Sequence, residues 1–428
     1  MSRFLLTTLG SLGDLYPYIA VARSLIGRGQ QAVLATAEEY RTAVEEAGVE
    51  FAPVRPGFAE LGEYQELVKK AFDVRRGPEF LIRELIMPHL YSAYSDLWQA
   101  SAGADLLVSH PLTYALPVVA EKRGLPWVAT VLSPMSFVSS YDPPTIPSFV
   151  WFDSLRSFRP WLHRPLFALG KFLLRRWEAP VQELRRQLGL RPSARSAMFE
   201  GQFSPLANLA LFDRELAAPQ PDWPERVEIC GAPVYDGPPA ARDILEELEH
   251  FLDQGDPPLV FVLGSSAVWL AGDFWRSAID AALRLGKRAI LITGSQEIGS
   301  LPEAVKTFSF LPYSRIFPKA AAVVHQAGIG TLAQAMRAGR PQLIVPVAFD
   351  QPDNARRAAG LGVARILPFR KVKTEQLASE LYKLLTNPRY QDNARILAGQ
   401  LAARHGADRA ADALIAAARA DFRAGMHR

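Results

Sequence analysis

The stretch from Val323 to Asn354, VVHQAGIGTLAQAMRAGRPQLIVPVAFDQPDN, constrains the fold more than any other part of the 428-residue chain. An apolar run ending at Val323 and Val324 leads into a glycine-bearing turn. An amphipathic segment follows, closed by Gly339 and Pro341, and then the buried-type run LIVPV. The order is strand, turn, helix, strand, and it builds an anion site. Gly328 and Gly330 permit close backbone approach, and a helix starting near Thr331 aims its free N–H groups and positive end at a phosphate; a diphosphate fits there. Asp350 and Gln351 stand at the C-terminal end of the second strand, where open α/β sheets carry ligand-contacting groups. Acceptor side chains beside a phosphate site suggest a sugar.

The rest of the chain alternates in the same way. RFLLTTL reads as a strand, Pro17 to Gly29 as a helix, QAVLATA as a strand and Glu38 to Ala47 as a helix ended by Gly48. ADLLVSH and PWVATVL are later parallel strands, separated by a helix from Ala115 to Arg123 that closes on Gly124. PPLVFVLGSS opens the pattern anew, and RAILITG, Thr307 to Phe310, AAVVH and QLIVPV continue it. The fold class is therefore α/β, with two Rossmann-like doubly wound domains facing each other across a cleft. The expected boundaries are residues 1–231 for the first domain, with a proline-broken, aromatic, helical insert at about 141–190. A connection follows over 232–257, then a second domain over 258–403 and a closing segment over 404–428, where Ala407 to Ala424 reads as an amphipathic helix.

Composition is that of a globular enzyme, 49% hydrophobic and 21% charged, and the length exceeds one typical core. The single cysteine, Cys230, excludes an intramolecular disulfide and fits a reducing compartment. The N-terminal run passes into Gly, Ser and Asp too early for a signal peptide, and no apolar stretch is long enough to span a bilayer, so a cytoplasmic location is expected.

The net charge of +4 is unevenly placed. From Arg156 to Arg195 ten Arg and Lys residues face only Glu178 and Glu183, amid Trp151, Phe152, Phe158, Trp161, Phe167, Phe172 and Trp177. Two readings stay open: a basic amphipathic surface facing anionic lipid, or helices whose apolar face lines a pocket and whose basic face is solvated. No nucleic-acid module accompanies the charge.

His325, Gly328, Gly330, Thr331, Gly339, Pro341, Pro346, Asp350 and Gln351 stand at the spacing of the donor-binding motif of the UDP-glycosyltransferase superfamily, which this chain resembles over nearly its whole length. Many bacterial members read HHGGAGT, whereas Gln326 and Ala327 here replace the second His and the first Gly. GSLGDLYP, from Gly10 to Pro17, is similar to the GSxGDxxP of a bacterial and sterol-modifying branch. GSLGDLYPYIAVARSL, PQPDWP, FLDQGDPPLVF and GIGTLAQAMRAGRPQ resemble the rhamnosyltransferase chain of rhamnolipid synthesis.

The resemblance implies the two-domain GT-B fold, a last helix that packs back on the first domain, and inverting, metal-independent transfer of a hexose to a hydroxyl of a hydrophobic acceptor. It makes Asp14 the general base; the alternative is that Asp14 caps the next helix. It places Ser265, His325, Gly328, Gly330 and Thr331 at the diphosphate, Phe310 and Leu311 at the base, and Asp350 and Gln351 at the sugar. The corresponding plain readings are a turn serine, a core histidine, a core aromatic and a cap on a helix near Asp353. His110, Phe152 and Trp161 are the acceptor candidates. No cofactor is expected beyond the nucleotide sugar as co-substrate, either dTDP-L-rhamnose or UDP-glucose; Ala333 falls where plant members carry a ribose-binding Glu. The partners expected are that donor, an apolar acceptor and a possible peripheral membrane contact, with the chain a monomer or homodimer. A non-catalytic membrane binder that keeps the fold is the reading from another class.

Overall fold

A computed structural model describes residues 1–146 and 160–425. The chain divides into two compact units, Met1–Tyr235 with His405–Arg428, and Asp236–Arg404.

The first unit is built on seven parallel strands, β1 (Arg3–Thr7), β2 (Gln31–Thr36), β3 (Glu50–Pro53), β4 (Leu106–Ser109), β5 (Trp127–Val131), β6 (Asn208–Ala210) and β7 (Val227–Ile229), in the order β3-β2-β1-β4-β5-β6-β7. The central strands are apolar on both faces because helices cover both sides, and Phe4, Leu5, Leu6, Leu106, Leu107 and Val108 are fully buried. Strand order reverses between β1 and β4, so the loops leaving their C-terminal ends diverge and open a crevice there.

Helix α1 (Leu12–Gly27) begins five residues before the expected Pro17. Ser11 and Asp14 form a reciprocal capping box that starts the helix upstream, and Pro17 is carried inside it at the loss of one backbone hydrogen bond. Helix α2 (Pro160–Leu174) lies in the aromatic insert.

In the second unit, helix α3 (Arg242–Asp253) lies within the segment expected to be a connection over 232–257. Its Leu248 and Phe251 are buried in one cluster with Val260, Ile290 and Phe317, so this helix packs into the second core. The sheet has six parallel strands, β8 (Leu259–Val262), β9 (Ala289–Ile292), β10 (Val305–Phe308), β11 (Ala322–His325), β12 (Gln342–Ile344) and β13 (Ala364–Ile366), in the order β10-β9-β8-β11-β12-β13. The switch point recurs between β8 and β11. Helix α4 (Ile329–Arg337) follows β11 and helix α5 (Gln351–Gly360) follows β12.

The closing helix α6 (Gly406–Gly425) lies along α1. Arg28 bridges to Asp408 at 2.9 Å and Asp412 at 2.7 Å, and the Ser24 hydroxyl donates to Asp408 at 2.6 Å. Gly406 is needed at its start, since a Cβ there would stand 2.5 Å from the carbonyls of Gly231 and Ala232.

Candidate functional site

At the first switch point Asp14 and His110 come together from β1 and β4. The Asp14 carboxylate is one-third exposed and its two oxygens have different roles. Oδ2 accepts from the Ser11 backbone N–H at 2.8 Å and the Ser11 hydroxyl at 3.1 Å, the capping-box contacts. Oδ1 faces His110 Nε2 at 3.4 Å. Both readings of Asp14 are thus compatible in one side chain: one oxygen caps α1 and the other is left to meet His110. Gly10 makes the space, because its φ of +136° favours glycine and a Cβ there would collide with the Asp14 carboxylate.

His110 is 4% exposed, and Leu112 N–H donates to its Nδ1 at 3.1 Å. That bond leaves the ring proton on Nε2, the nitrogen directed at Asp14. Thr113 holds the His110 backbone from both sides, and the Tyr18 ring meets the imidazole edge-on at 5.8 Å. His110, a candidate at the acceptor, has Nε2 turned to the carboxylate.

His325 occupies the equivalent position at the end of β11 and repeats the arrangement. Ala327 N–H donates to Nδ1 at 3.1 Å, and Nε2–H donates to the Gln342 amide oxygen at 3.0 Å. The ring is fully buried, and burial depresses its pKa to about 4 against the raising effect of the Gln342 bond. It was expected to touch phosphate, but both nitrogens are engaged inside the protein. The Ala327 bond ties the following turn to the ring, and the lowered pKa keeps the ring neutral.

The side chain that does reach the turn region is Gln326. It is 6% exposed, and its amide oxygen has no hydrogen-bond partner. Its amide nitrogen sits against two glycines from different loops: a Cβ on Gly328 would stand 2.9 Å from it, and one on Gly264, after β8, would collide with it. Gly264 also has φ +69°, so the loops after β8 and β11 meet only because of glycine there. Sequence reasoning did not assign Gln326; its place two residues before Gly328 was the available signal. Ala327 takes φ +67°, a left-handed conformation that costs a non-glycine residue about 1 kcal/mol. The turn accepts that strain while placing the Ala327 N–H on His325 and its carbonyl under the Asn354 amide at 3.0 Å.

Gly328 is the N-cap of α4, so the N–H groups of Ile329, Gly330 and Thr331 form its first turn, the end of a helix that attracts anions. A Cβ on Gly330 would meet no protein atom within 4 Å, so the protein's own packing does not demand glycine there. Thr331 is 8% exposed. Ser265 is half-buried in the short helix after β8.

Asp350 stands at the N-cap position of α5 without a side-chain capping bond, and its carboxylate accepts from the Asn354 side-chain amide at 2.7 Å. The Gln351 amide oxygen accepts from Val347 N–H at 2.9 Å and Ala348 N–H at 3.3 Å, so it braces the loop between β12 and α5. Phe310 is half-buried, while the Leu311 side chain is fully buried in the core with Ile316 and Phe317 and offers only its backbone.

Of the acceptor candidates besides His110, Phe152 lies outside the described residues, and Trp161 is exposed on α2. Beside His110 a recess of about 50 Å³ is bounded by Pro111, Tyr114, Val118, Gln182 and Arg195. Among the described residues no cluster of three or more His, Cys, Asp or Glu side chains could hold a metal, and no helix is long and apolar enough to cross a membrane.

Comparison with known proteins bears on this geometry. Residues 4–139 match the glycosyltransferase family 28 N-terminal domain, and residues 278–417 match the C-terminal domain of erythromycin biosynthesis protein CIII-like proteins. The chain is 32% identical over 424 residues to O-mycaminosyltylonolide 6-deoxyallosyltransferase of Streptomyces fradiae, covering 95% of this chain and 96% of that one. A sterol 3-beta-glucosyltransferase of Komagataella phaffii is 26% identical over 421 residues, covering 94% of this chain and 33% of that protein. The structure of glycosyltransferase VinC in complex with dTDP superimposes with a TM-score of 0.69 at 20% identity, covering 97% of this chain and 99% of that one.

Proposed function

The chain belongs to the UDP-glycosyltransferase superfamily of the GT-B fold, and on that footing we propose that it transfers a 6-deoxyhexose, with inversion, from a dTDP-linked donor to a hydroxyl of a hydrophobic acceptor. The donor of first choice is dTDP-L-rhamnose.

In this reading Asp14 is the general base. Its Oδ1 takes the acceptor hydroxyl proton as that oxygen attacks the anomeric carbon, and the diphosphate departs from the opposite face of the sugar. The single observation that carries the assignment is the asymmetric carboxylate: Oδ2 is fixed by Ser11, while Oδ1 faces the Nε2–H of His110 on a side chain that stays one-third exposed. His110 orients Asp14 as a neutral donor and supports the negative charge until the proton arrives. The leaving diphosphate is received by the first-turn N–H groups of α4 and by the Gln326 amide. These are fixed dipoles that need no reorganisation as charge develops.

The sugar and nucleotide readings have separate supports. The Streptomyces relative is named for transfer of a 6-deoxy sugar. Ala333 is buried on α4 and brings no carboxylate for a ribose 2′-hydroxyl, a group that deoxyribose lacks. UDP-glucose is the second reading, supported by the Komagataella relative, which is named a glucosyltransferase.

Calorimetric titration with dTDP and UDP, without added metal, tests the donor assignment. Tighter binding of dTDP by the wild type, weakened in Gln326→Ala, is the expected result. Tighter binding of UDP would move the donor to the second reading, and binding of neither nucleotide would overturn the assignment of the α4 turn.

A further inference from the structure

Helix α2 presents its apolar residues outward. Trp161, Leu169, Phe172 and Leu173 are 69%, 56%, 67% and 59% exposed, at the spacing of one helical face. Exposed large side chains are ordinary when scattered, but a contiguous stripe of them on one helix marks an interaction surface.

The opposite face fixes the helix to the first unit. His163 is fully buried, donates from Nδ1 to the Ser140 carbonyl at 3.1 Å and stacks on Phe167. Ser140 is itself held by Asp222, which accepts from its backbone N–H at 2.7 Å and its hydroxyl at 2.6 Å. The stripe is therefore displayed by an anchored helix.

Charge identifies the partner. Arg164 donates to the Tyr141 hydroxyl and Arg175 to the Ala194 carbonyl, neutral partners, and among the described residues neither cation has a salt bridge. Both are exposed, as is Arg176, and all three belong to the same helix or the turn after it. A face with an aromatic and aliphatic centre and guanidinium groups at its margin suits the interface of a bilayer, where apolar side chains enter the acyl boundary and cations meet headgroup phosphates. An apolar small-molecule pocket would bury these side chains, and a protein partner gives no reason for the excess cations.

We propose that α2 is a docking helix that seats the protein on an anionic lipid surface. The idea does not depend on which sugar is transferred, and its test does not use turnover.

The full chain is sedimented with vesicles of phosphatidylcholine alone and of phosphatidylcholine with phosphatidylglycerol, at low and high salt. Pelleting with the anionic vesicles, reduced by salt and absent with the neutral ones, is the expected pattern. Leu169→Glu with Phe172→Glu should lower partitioning at least roughly tenfold while leaving dTDP affinity unchanged, since both side chains are solvent-facing. Arg164→Gln with Arg175→Gln should remove the preference for anionic vesicles.

Failure to pellet with anionic vesicles, or pelleting that the Glu variant leaves intact, overturns the proposal. Self-association of the wild type that the Glu variant abolishes, without vesicle binding, would instead give the face to a second copy of the chain.

Discussion

His325 should make the second unit acid-sensitive by an amount that the structure sets. The ring is fully buried, with Nδ1 receiving the Ala327 N–H and Nε2 donating to Gln342, so a second proton has no place without breaking the turn. Burial lowers its pKa from the ordinary 6.5 to about 4 in the folded protein. Between those values the unfolded chain binds the proton and the folded one does not. The contribution to stability is thus complete above pH 6.5, falls as pH drops, and levels off near pH 4. Over the whole window this amounts to about 3 kcal/mol, and between pH 6.5 and pH 5 to about 2 kcal/mol.

Other carboxylates also titrate as pH falls, so the comparison is with His325→Asn, which lacks the titrating group. Urea unfolding followed at pH 7 should show the wild type more stable by about 1–3 kcal/mol, the cost of unsatisfying Gln342. At pH 5 that advantage should shrink by about 2 kcal/mol. An advantage unchanged between the two pH values would refute the reasoning, because it would mean that the ring is protonated, or solvated, in the folded state.

Ala327→Gly should relieve the left-handed strain at φ +67° and raise the unfolding free energy by about 1 kcal/mol, measured in the same urea experiment. Ala327→Val should lower it, because a β-branched residue is worse there. Gly10→Ala should displace the Asp14 carboxylate, which its Cβ would strike, and lower kcat by roughly tenfold or more with dTDP affinity unchanged by calorimetry. Gly330→Ala should leave thermal stability within about 0.5 kcal/mol of wild type, since no protein atom lies within 4 Å of the added methyl, while weakening dTDP binding.

Much of the fold could be read from periodicity because its central strands are buried on both faces. Runs such as RFLLT, LLVS, AILI and AVVH are short, apolar and set between helical patterns, and helix Ala115–Arg123 is bounded by Gly124, which caps it at φ +68°. Short edge elements were not legible: β7 and β13 have three residues each, too few for a pattern, and hydrogen bonding to a neighbour defines them. The Pro17 start failed because the Ser11–Asp14 capping box outweighs a proline that could have been a first helical residue.

At the site, motif spacing located the two crevices but not the direction of each side chain. His110 and His325 are both strand-end histidines with Nδ1 engaged two residues onward, and only the neighbour facing Nε2, Asp14 in one case and Gln342 in the other, separates a residue at the crevice from one in the core. Those neighbours are 96 and 17 positions away in sequence. Gln326 was obscured for a similar reason, since its partners Gly264 and Gly328 come from two loops.

The central claim is that Asp14 is the base for sugar transfer from a nucleotide donor. Turnover and dTDP affinity of Asp14→Asn, measured side by side against wild type, test it most directly. The substitution keeps the Oδ acceptor for Ser11, so α1 stays capped and nucleotide affinity should remain within about twofold, while kcat should fall by roughly two orders of magnitude or more. Near-normal turnover with intact nucleotide binding would contradict the account and remove Asp14 from the chemistry.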